Sequence, residues 1–129
     1  MIALCFVVLA GVCNAIMDNT LFHYYKSIFR GSRFEQWADP EISWKNKWKN
    51  GDILQGERFP LSSTVFVWTT DLWHLSQSFM ISFFVLSAIF YSPIISFDNY
   101  IIEVVVSLVI LKAAFSITFE LFLSKILVR

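Results

Sequence analysis

The chain has 129 residues, with ten basic and ten acidic side chains and a formal net charge of zero. This balance gives no bulk attraction to nucleic acid or to an acidic surface, so no nucleic-acid partner is expected. Hydrophobic residues make up 57% of the sequence and charged residues 16%, whereas a soluble domain averages about 45–50% apolar and about 25% charged residues. The composition therefore excludes an ordinary soluble domain and favours a single-domain, all-α membrane protein.

The first predicted helix covers residues 2–29. The first seventeen residues of the chain, MIALCFVVLAGVCNAIM, are uncharged, and this length is close to the roughly 20 residues that span a bilayer. No Lys or Arg precedes this run, as a secretory signal peptide normally requires, so we expect a retained membrane helix. Cys5 and Cys13 would lie about 12 Å apart along that helix, too far for a disulfide within it. Asn14 and Asp18 lie on one polar stripe of the helix.

Residues 30–61 form a predicted extramembrane loop, because Gly, Pro and charged residues interrupt every apolar period. A short amphipathic helix in this loop would place Trp44 and Trp48 on one face, beside Lys45 and Lys49. Tryptophan favours headgroup depth and lysine reaches toward lipid phosphates, so these four residues are expected to contact lipid headgroups. A specific clamp on a lipid or a substrate is the alternative interpretation.

The second predicted helix covers residues 62–92 and stops before Pro93; the third covers residues 100–128. At 1.5 Å per residue the second helix would be about 45 Å long, so its first turns should protrude beyond the roughly 30 Å hydrocarbon core. Seven Lys and Arg residues, Lys26 to Arg58, lie at the end of the first helix and in the loop that follows it, and none lies between the last two helices. The positive-inside rule then predicts a multi-pass inner-membrane protein with the long loop and C-terminus in the cytoplasm and the N-terminus outside.

The predicted helices carry polar stripes that should face one another. Charged residues inside membrane spans are rare, usually face the bundle interior and are functional candidates. The second helix has such a stripe from Thr70 to Ser78, and the third has Lys112 and Glu120. We therefore expect a buried polar cluster near the cytoplasmic membrane face. Its predicted members are Asn14, Asp18, Asp71, His74, Lys112 and Glu120.

Three interpretations of this cluster are open. In the first, it is structural: Lys112 pairs with Glu120 or Asp18, and His74 hydrogen-bonds Asp71 or Asn14, holding the helices in register. In the second, a divalent metal (zinc, manganese or iron) is bound and acts on a lipid headgroup. The third is a proton or ion path in an oligomer.

The metal interpretation has a geometric obstacle. Its ligands would be Asp18, His23, Asp71 and His74. Asp71 and His74 share a helix face, but Asp18 and His23 are about 140° apart on an ideal helix. Both could bind one metal only if the helix unwinds between them.

The sequence contains no complete catalytic motif. A nucleophile elbow, a phosphate loop, a zinc-protease HExxH and an EF-hand pattern are all missing. We therefore expect a non-enzymatic subunit or assembly factor, with enzymatic activity undecided. Membrane lipids, further copies of the chain or a larger membrane complex are the expected partners.

Five short motifs resemble those of a group of small uncharacterised bacterial or phage integral-membrane proteins. They are GVCNAIMD (residues 11–18), FHYY (22–25), SWKNKWKNGD (43–52), GERF (56–59) and TDLWH (70–74). The resemblance covers roughly residues 11–78 and leaves out the last helix. It implies an integral-membrane protein and no particular activity.

Overall fold

The structure, a computed structural model, describes all 129 residues. It contains four α-helices, which we number α1 (Ile2–Phe22), α2 (Glu35–Ala38), α3 (Leu72–Ile89) and α4 (Tyr100–Phe122). One turn of π-helix, Leu123–Leu127, continues α4. Short 3₁₀ helices occupy Tyr24–Lys26, Ser43–Lys47, Lys49–Gly51, Ile53–Gln55 and Val67–Thr69. The prediction of an all-α chain is confirmed, and three of its helices are long and apolar enough to cross a membrane.

The membrane helices are shorter than predicted where they join the loop. α1 ends at Phe22 rather than at residue 29, and α3 begins at Leu72 rather than at residue 62. Asp71 sets the start of α3, because its carboxylate accepts a hydrogen bond from the His74 backbone N–H at 2.9 Å. With 18 residues, α3 is about 27 Å long and fits within the bilayer. The predicted protrusion of this helix beyond the membrane is therefore wrong.

α1 is the central helix of the bundle. It packs against both α3 and α4, whereas these two have few contacts with each other. In its most apolar stretch 33% of the residues are buried, compared with 11% in α3 and 6% in the segment Tyr100–Leu127. The rings of Phe84 and Phe115, with centroids 5.6 Å apart, provide one point of contact between α3 and α4. The two outer helices therefore leave most of their side chains uncovered.

Small residues bring α1 and α4 close together. A Cβ atom added to Gly11 would lie 2.9 Å from the Phe115 carbonyl oxygen and 3.1 Å from the Thr118 Cβ, so only glycine fits there. Ser107 of α4 and Ala10 of α1 are completely buried. Because lipid tails are as apolar as leucine, close backbone packing of this kind is what associates helices in a membrane.

The end of the chain is tied to the segment that follows α1. The Ile28 N–H donates to the Leu127 carbonyl at 2.9 Å, and the Arg129 N–H donates to the Lys26 carbonyl at 2.7 Å. Ser27 and Val128 form an isolated antiparallel bridge. The end of α4 therefore lies on the same side of the bundle as the long loop.

We call residues 23–71 the cap. Buried Asn46 links three of its segments: the side-chain amide donates to the carbonyls of Gln36 and Thr70, each at 3.0 Å. Trp48 and Glu57 form an antiparallel bridge that closes a small hairpin. The cap exposes many large apolar side chains: Phe34, Trp37, Ile42, Trp44, Ile53, Leu54, Phe59, Leu61, Val65, Phe66 and Trp68.

The predicted amphipathic helix of the cap does not form. Ser43–Lys47 is a 3₁₀ helix, and Trp48 has the extended backbone that its bridge to Glu57 requires. Trp44 is exposed and its indole N–H donates to the Glu41 carbonyl at 3.0 Å. Because the helix ends at Lys47, the two tryptophans do not share one helical face.

Candidate functional site

Asp71 and His74 form a pair at the start of α3. The distance from Asp71 Oδ2 to His74 Nδ1 is 2.7 Å, and the Asp71 side chain is only 4% exposed, against 31% for His74. The Thr70 hydroxyl also donates to this carboxylate, at 3.3 Å. Asp71 is one of the two partners that the structural interpretation offered for His74. The carboxylate both caps the helix and orients the imidazole.

Asp18 and His23 form a second pair at the end of α1. Their side chains approach to 3.4 Å between Oδ2 and Nε2, and both are partly exposed. On a continuous helix they would point in different directions. They meet because α1 ends at Phe22 and the backbone of His23 is no longer helical, with φ of −122° and ψ of 14°.

The two pairs do not combine into the predicted metal site. No group of three or more His, Cys, Asp or Glu side chains in the chain is arranged to hold a metal ion. A catalytic zinc site needs about three protein ligands and a structural one about four, and each pair supplies two. The ligand set Asp18, His23, Asp71 and His74 therefore does not form in this chain.

The predicted six-residue buried cluster does not form as a unit: of its members only Asp71 is buried, whereas Asn14, Asp18 and His74 are partly exposed. Lys112 and Glu120 are exposed on α4, and neither forms an ion pair, because the chain's only carboxylate contacts with basic groups are those of the two histidines. The two residues lie about 12 Å apart along the helix axis, too far to pair with each other. On α4 the residues used for packing are Thr118, which faces Gly11 of α1, and Ser107, which is completely buried. Its charged residues therefore lie on surface that α1 leaves uncovered.

Sequence reasoning missed the importance of Asn19. Its side chain is completely buried. Its Oδ1 accepts a hydrogen bond from the Ser27 hydroxyl at 2.5 Å, while its amide nitrogen has no partner. An asparagine within an apolar helix was the available signal. Asn19 ties the end of α1 to the segment that pairs with the end of α4.

A polar cleft lies within the cap. It has a volume of about 780 Å³, and only two of its eleven lining residues are hydrophobic. Three of the lining residues are basic: Arg33, Lys45 and Arg58. Glu35 is the one acidic lining residue. The cleft is thus a positively charged chamber on the loop side of the bundle, and we call it the basic cleft.

Only two of the four residues predicted to contact lipid headgroups line this cleft. Lys45 and Trp48 line it, whereas Trp44 and Lys49 do not. Lys45 Nζ also lies 5.7 Å from the centre of the Trp44 ring. Arg33 and Arg58 were not predicted, since only the folding of the cap brings them to the same cavity as Lys45.

A second cavity lies between α3 and α4. This apolar groove has a volume of about 670 Å³, and nine of its eleven lining residues are hydrophobic. Val7 of α1 and Phe84 of α3 contribute to its walls. Lys112 is the one charged lining residue. The groove exists because the two outer helices pack on α1 and only touch each other locally.

Three cap residues have shifted pKa values: Tyr24, Tyr25 and Glu57. Burial of Tyr24, together with the nearby Asp39 and Glu35 carboxylates, raises its pKa to about 12. Its hydroxyl donates to Glu35 at 3.3 Å. Hydrogen bonds from the Ser63 hydroxyl and backbone N–H lower the pKa of Glu57, because they favour the charged carboxylate. At neutral pH the Tyr24 hydroxyl is therefore protonated and donates a hydrogen bond to Glu35. Glu57 is ionised and accepts hydrogen bonds from Ser63.

Comparison of the chain with protein-family models, curated proteins and solved structures finds no match.

Proposed function

We propose that this protein is a non-enzymatic subunit of a larger membrane complex, and that a partner helix covers the exposed side of α4. The observation that carries the proposal is Lys112. It lies near the middle of the apolar segment Tyr100–Leu127, it is exposed, and no carboxylate of the chain pairs with it. A lysine at the centre of a membrane helix costs about 2.5–3.5 kcal/mol on insertion scales. A carboxylate from another chain would offset that cost.

The apolar groove supports the same proposal. Its walls are hydrophobic and Lys112 is its only charged lining residue. A membrane helix lying against it would cover apolar surface on both α3 and α4 and bring an acidic side chain to the lysine. Such pairing of charges within the bilayer is how buried ionisable residues are usually accommodated.

The partner is proposed to be a different chain rather than a second copy. In a two-fold dimer whose axis is normal to the membrane, equivalent residues lie at the same depth. If two copies met through this face, Lys112 would lie opposite Lys112, and like charges in an interface are unfavourable. Glu120 does not remedy this, because it lies about 12 Å further along the same helix. A heteromeric partner with a carboxylate at the depth of Lys112 removes the conflict.

The proposal includes an inner-membrane location with the cap on the cytoplasmic side. The cap contains seven Lys and Arg residues, and the connection from α3 to α4 contains none. The backbone pairing of residues 26–28 with residues 127–129 keeps the end of α4 on the cap side. The positive-inside rule then favours cytoplasmic placement of both and an external N-terminus.

The test is purification from native membranes in mild detergent, followed by native gel electrophoresis and mass spectrometry. Wild type should migrate well above its 15.0 kDa mass with a second protein in stoichiometric amount. Lys112→Gln should lose most of that partner, because the acidic residue facing it would be left unpaired. Lys125→Gln, a neutralised lysine near the end of the same span, should retain it.

Three outcomes would contradict the proposal. A lone monodisperse chain would show that no partner covers α4. A complex made only of copies of this chain would refute the heteromeric partner. Equal partner recovery with Lys112→Gln and wild type would show that the lysine is not at the interface.

A further inference from the structure

We infer that the basic cleft of the cap binds a phosphate-bearing ligand. This site is separate from the proposed partner face on α4, which lies in the membrane-spanning part of the molecule. Arg33, Lys45 and Arg58 would supply the positive charge. The shared chemistry of the ligand is a phosphate group, carried either by a membrane lipid or by a soluble compound.

The charge of the cleft is left unbalanced by the chain. Its lining has three basic side chains and one acidic side chain, an excess of two positive charges. None of the three basic groups forms an ion pair with a carboxylate. A phosphate monoester carries about −1.5 to −2 charges at neutral pH, so it matches this excess.

The carboxylates of the cap, including Glu35 in the cleft lining, accept hydrogen bonds from other cap groups. Glu35 accepts from the Tyr24 hydroxyl, Glu41 from the Tyr25 hydroxyl, and Glu57 from the Ser63 hydroxyl and backbone N–H. Asp39 accepts from the Glu41 backbone N–H. Each carboxylate keeps its charge, but its hydrogen-bond partners are hydroxyl and backbone N–H groups of the cap rather than basic side chains. The basic groups of the cleft remain available for an external anion.

The walls of the cleft are fixed by contacts within the cap. Buried Asn46, a lining residue, is bonded to two backbone carbonyls in distant segments. The stem of Lys45 lies against Gly51, where an added Cβ would be 3.4 Å from Lys45 Cβ, and Gly51 has a φ of +76° that favours glycine. The Arg58 backbone N–H donates to the Lys47 carbonyl at 2.9 Å. Side chains held on ordered backbone lose less entropy on binding.

The shape and lining suit a headgroup rather than a fatty chain. The volume of about 780 Å³ lies within the roughly 300–1,000 Å³ typical of small-molecule sites. Arginine forks and lysine ammonium groups are the usual partners of phosphate oxygens. Phe34, Trp37 and Trp44 are exposed on the same cap. Exposed aromatic residues favour the membrane interface, where lipid phosphates are found.

The binding test uses the full purified chain in neutral detergent and titrates four ligands. The two lipids are phosphatidic acid and phosphatidylcholine, measured by native mass spectrometry. The two soluble ligands are glycerol 3-phosphate and inorganic phosphate, measured by calorimetry. We expect phosphatidic acid to bind more tightly than zwitterionic phosphatidylcholine. Binding of the soluble ligands without lipid preference would identify a soluble phosphate compound as the source.

Matched substitutions identify the cleft as the site. Lys45→Gln and Arg58→Gln should each weaken phosphate-ligand binding about tenfold or more, since each removes a charge-assisted hydrogen bond. Lys49→Gln removes the same charge from the same loop but lies outside the cleft, and it should change binding by less than about twofold. Circular dichroism and melting curves establish that each variant is folded.

Two results would overturn the inference. One is the absence of binding to all four ligands by folded wild type. The other is an equal loss with Lys49→Gln and Lys45→Gln, which would indicate diffuse surface attraction. Lys112→Gln should leave ligand binding unchanged, so failure of the partner proposal and failure of this inference are distinguishable.

Discussion

At the residue scale, Asp71 both caps α3 and contacts the His74 ring. Its carboxylate accepts from the His74 backbone N–H and contacts the His74 ring, and it is almost fully buried. Thr70, which also donates to it, has its carbonyl bonded to Asn46. A chain of hydrogen bonds therefore connects the start of α3 to the wall of the basic cleft. This residue belongs to the structure of the helix entrance rather than to a metal site.

Substitution of Asp71 tests that assignment. Asp71→Ala removes the helix cap and should lower the free energy of unfolding by about 1–2 kcal/mol. Asp71→Asn keeps an oxygen acceptor at the cap and should cost less than about 1 kcal/mol, because asparagine caps helices as well as aspartate does. Thermal unfolding in detergent, followed by circular dichroism, measures both. Equal destabilisation by the two variants would mean that the charge, not the cap, is what matters.

At the element scale, close packing decides which helix is central. α1 presents Ala3, Val7, Ala10 and Gly11 as buried positions along its length. Residues of this size let the backbones of neighbouring helices approach, and the dispersion contacts so gained stabilise the bundle in lipid. α3 and α4 contain larger side chains at most positions and remain largely uncovered. The central position of α1 thus follows from its small residues.

Gly11 is the most sensitive point of this packing. Gly11→Val would place new atoms within contact distance of the Phe115 carbonyl and Thr118, and should destabilise the bundle by about 1–3 kcal/mol. Leu9→Phe adds volume at an exposed position of the same helix and should have little effect. Unfolding of both variants in detergent gives the comparison. An unchanged midpoint for Gly11→Val would show that α1 and α4 are not packed as described.

At the scale of the whole molecule, the bundle is polarised. The cap and the end of α4 lie together at one end, tied by backbone hydrogen bonds between residues 26–28 and 127–129. The short connection between α3 and α4 lies at the other end and carries no basic residue. The basic cleft, as part of the cap, therefore lies at the end of the bundle that carries most of the positive charge.

Cysteine labelling tests this arrangement in cells. Leu54, in the cap, is 91% exposed, and Ile95, in the connection between α3 and α4, is 47% exposed. The outer barrier of the cells is first made permeable to a maleimide that cannot cross the inner membrane. Ile95→Cys should then react with this maleimide while the inner membrane is intact. Leu54→Cys should react only after the inner membrane is opened. Wild type, with Cys5 and Cys13 on α1, measures the background. The reverse labelling pattern would invert the proposed orientation.

The sequence by itself determined that the chain is all-α and has three long apolar helices, because hydropathy and charge interruptions are properties of neighbouring residues. It did not determine where α1 and α3 end and begin. Asn19, Ser27 and Asp71 act there through specific hydrogen bonds, and the spacing of apolar residues in the sequence does not predict such bonds. Only the tertiary structure decided that Arg33, Lys45 and Arg58 share a cleft, because the cap must fold before distant segments meet. It also decided that Lys112 and Glu120 stay uncovered. α4 packs on α1 through the close contact of Phe115 and Thr118 with Gly11, because close backbone approach associates helices in lipid, and this leaves its polar stripe on the uncovered surface.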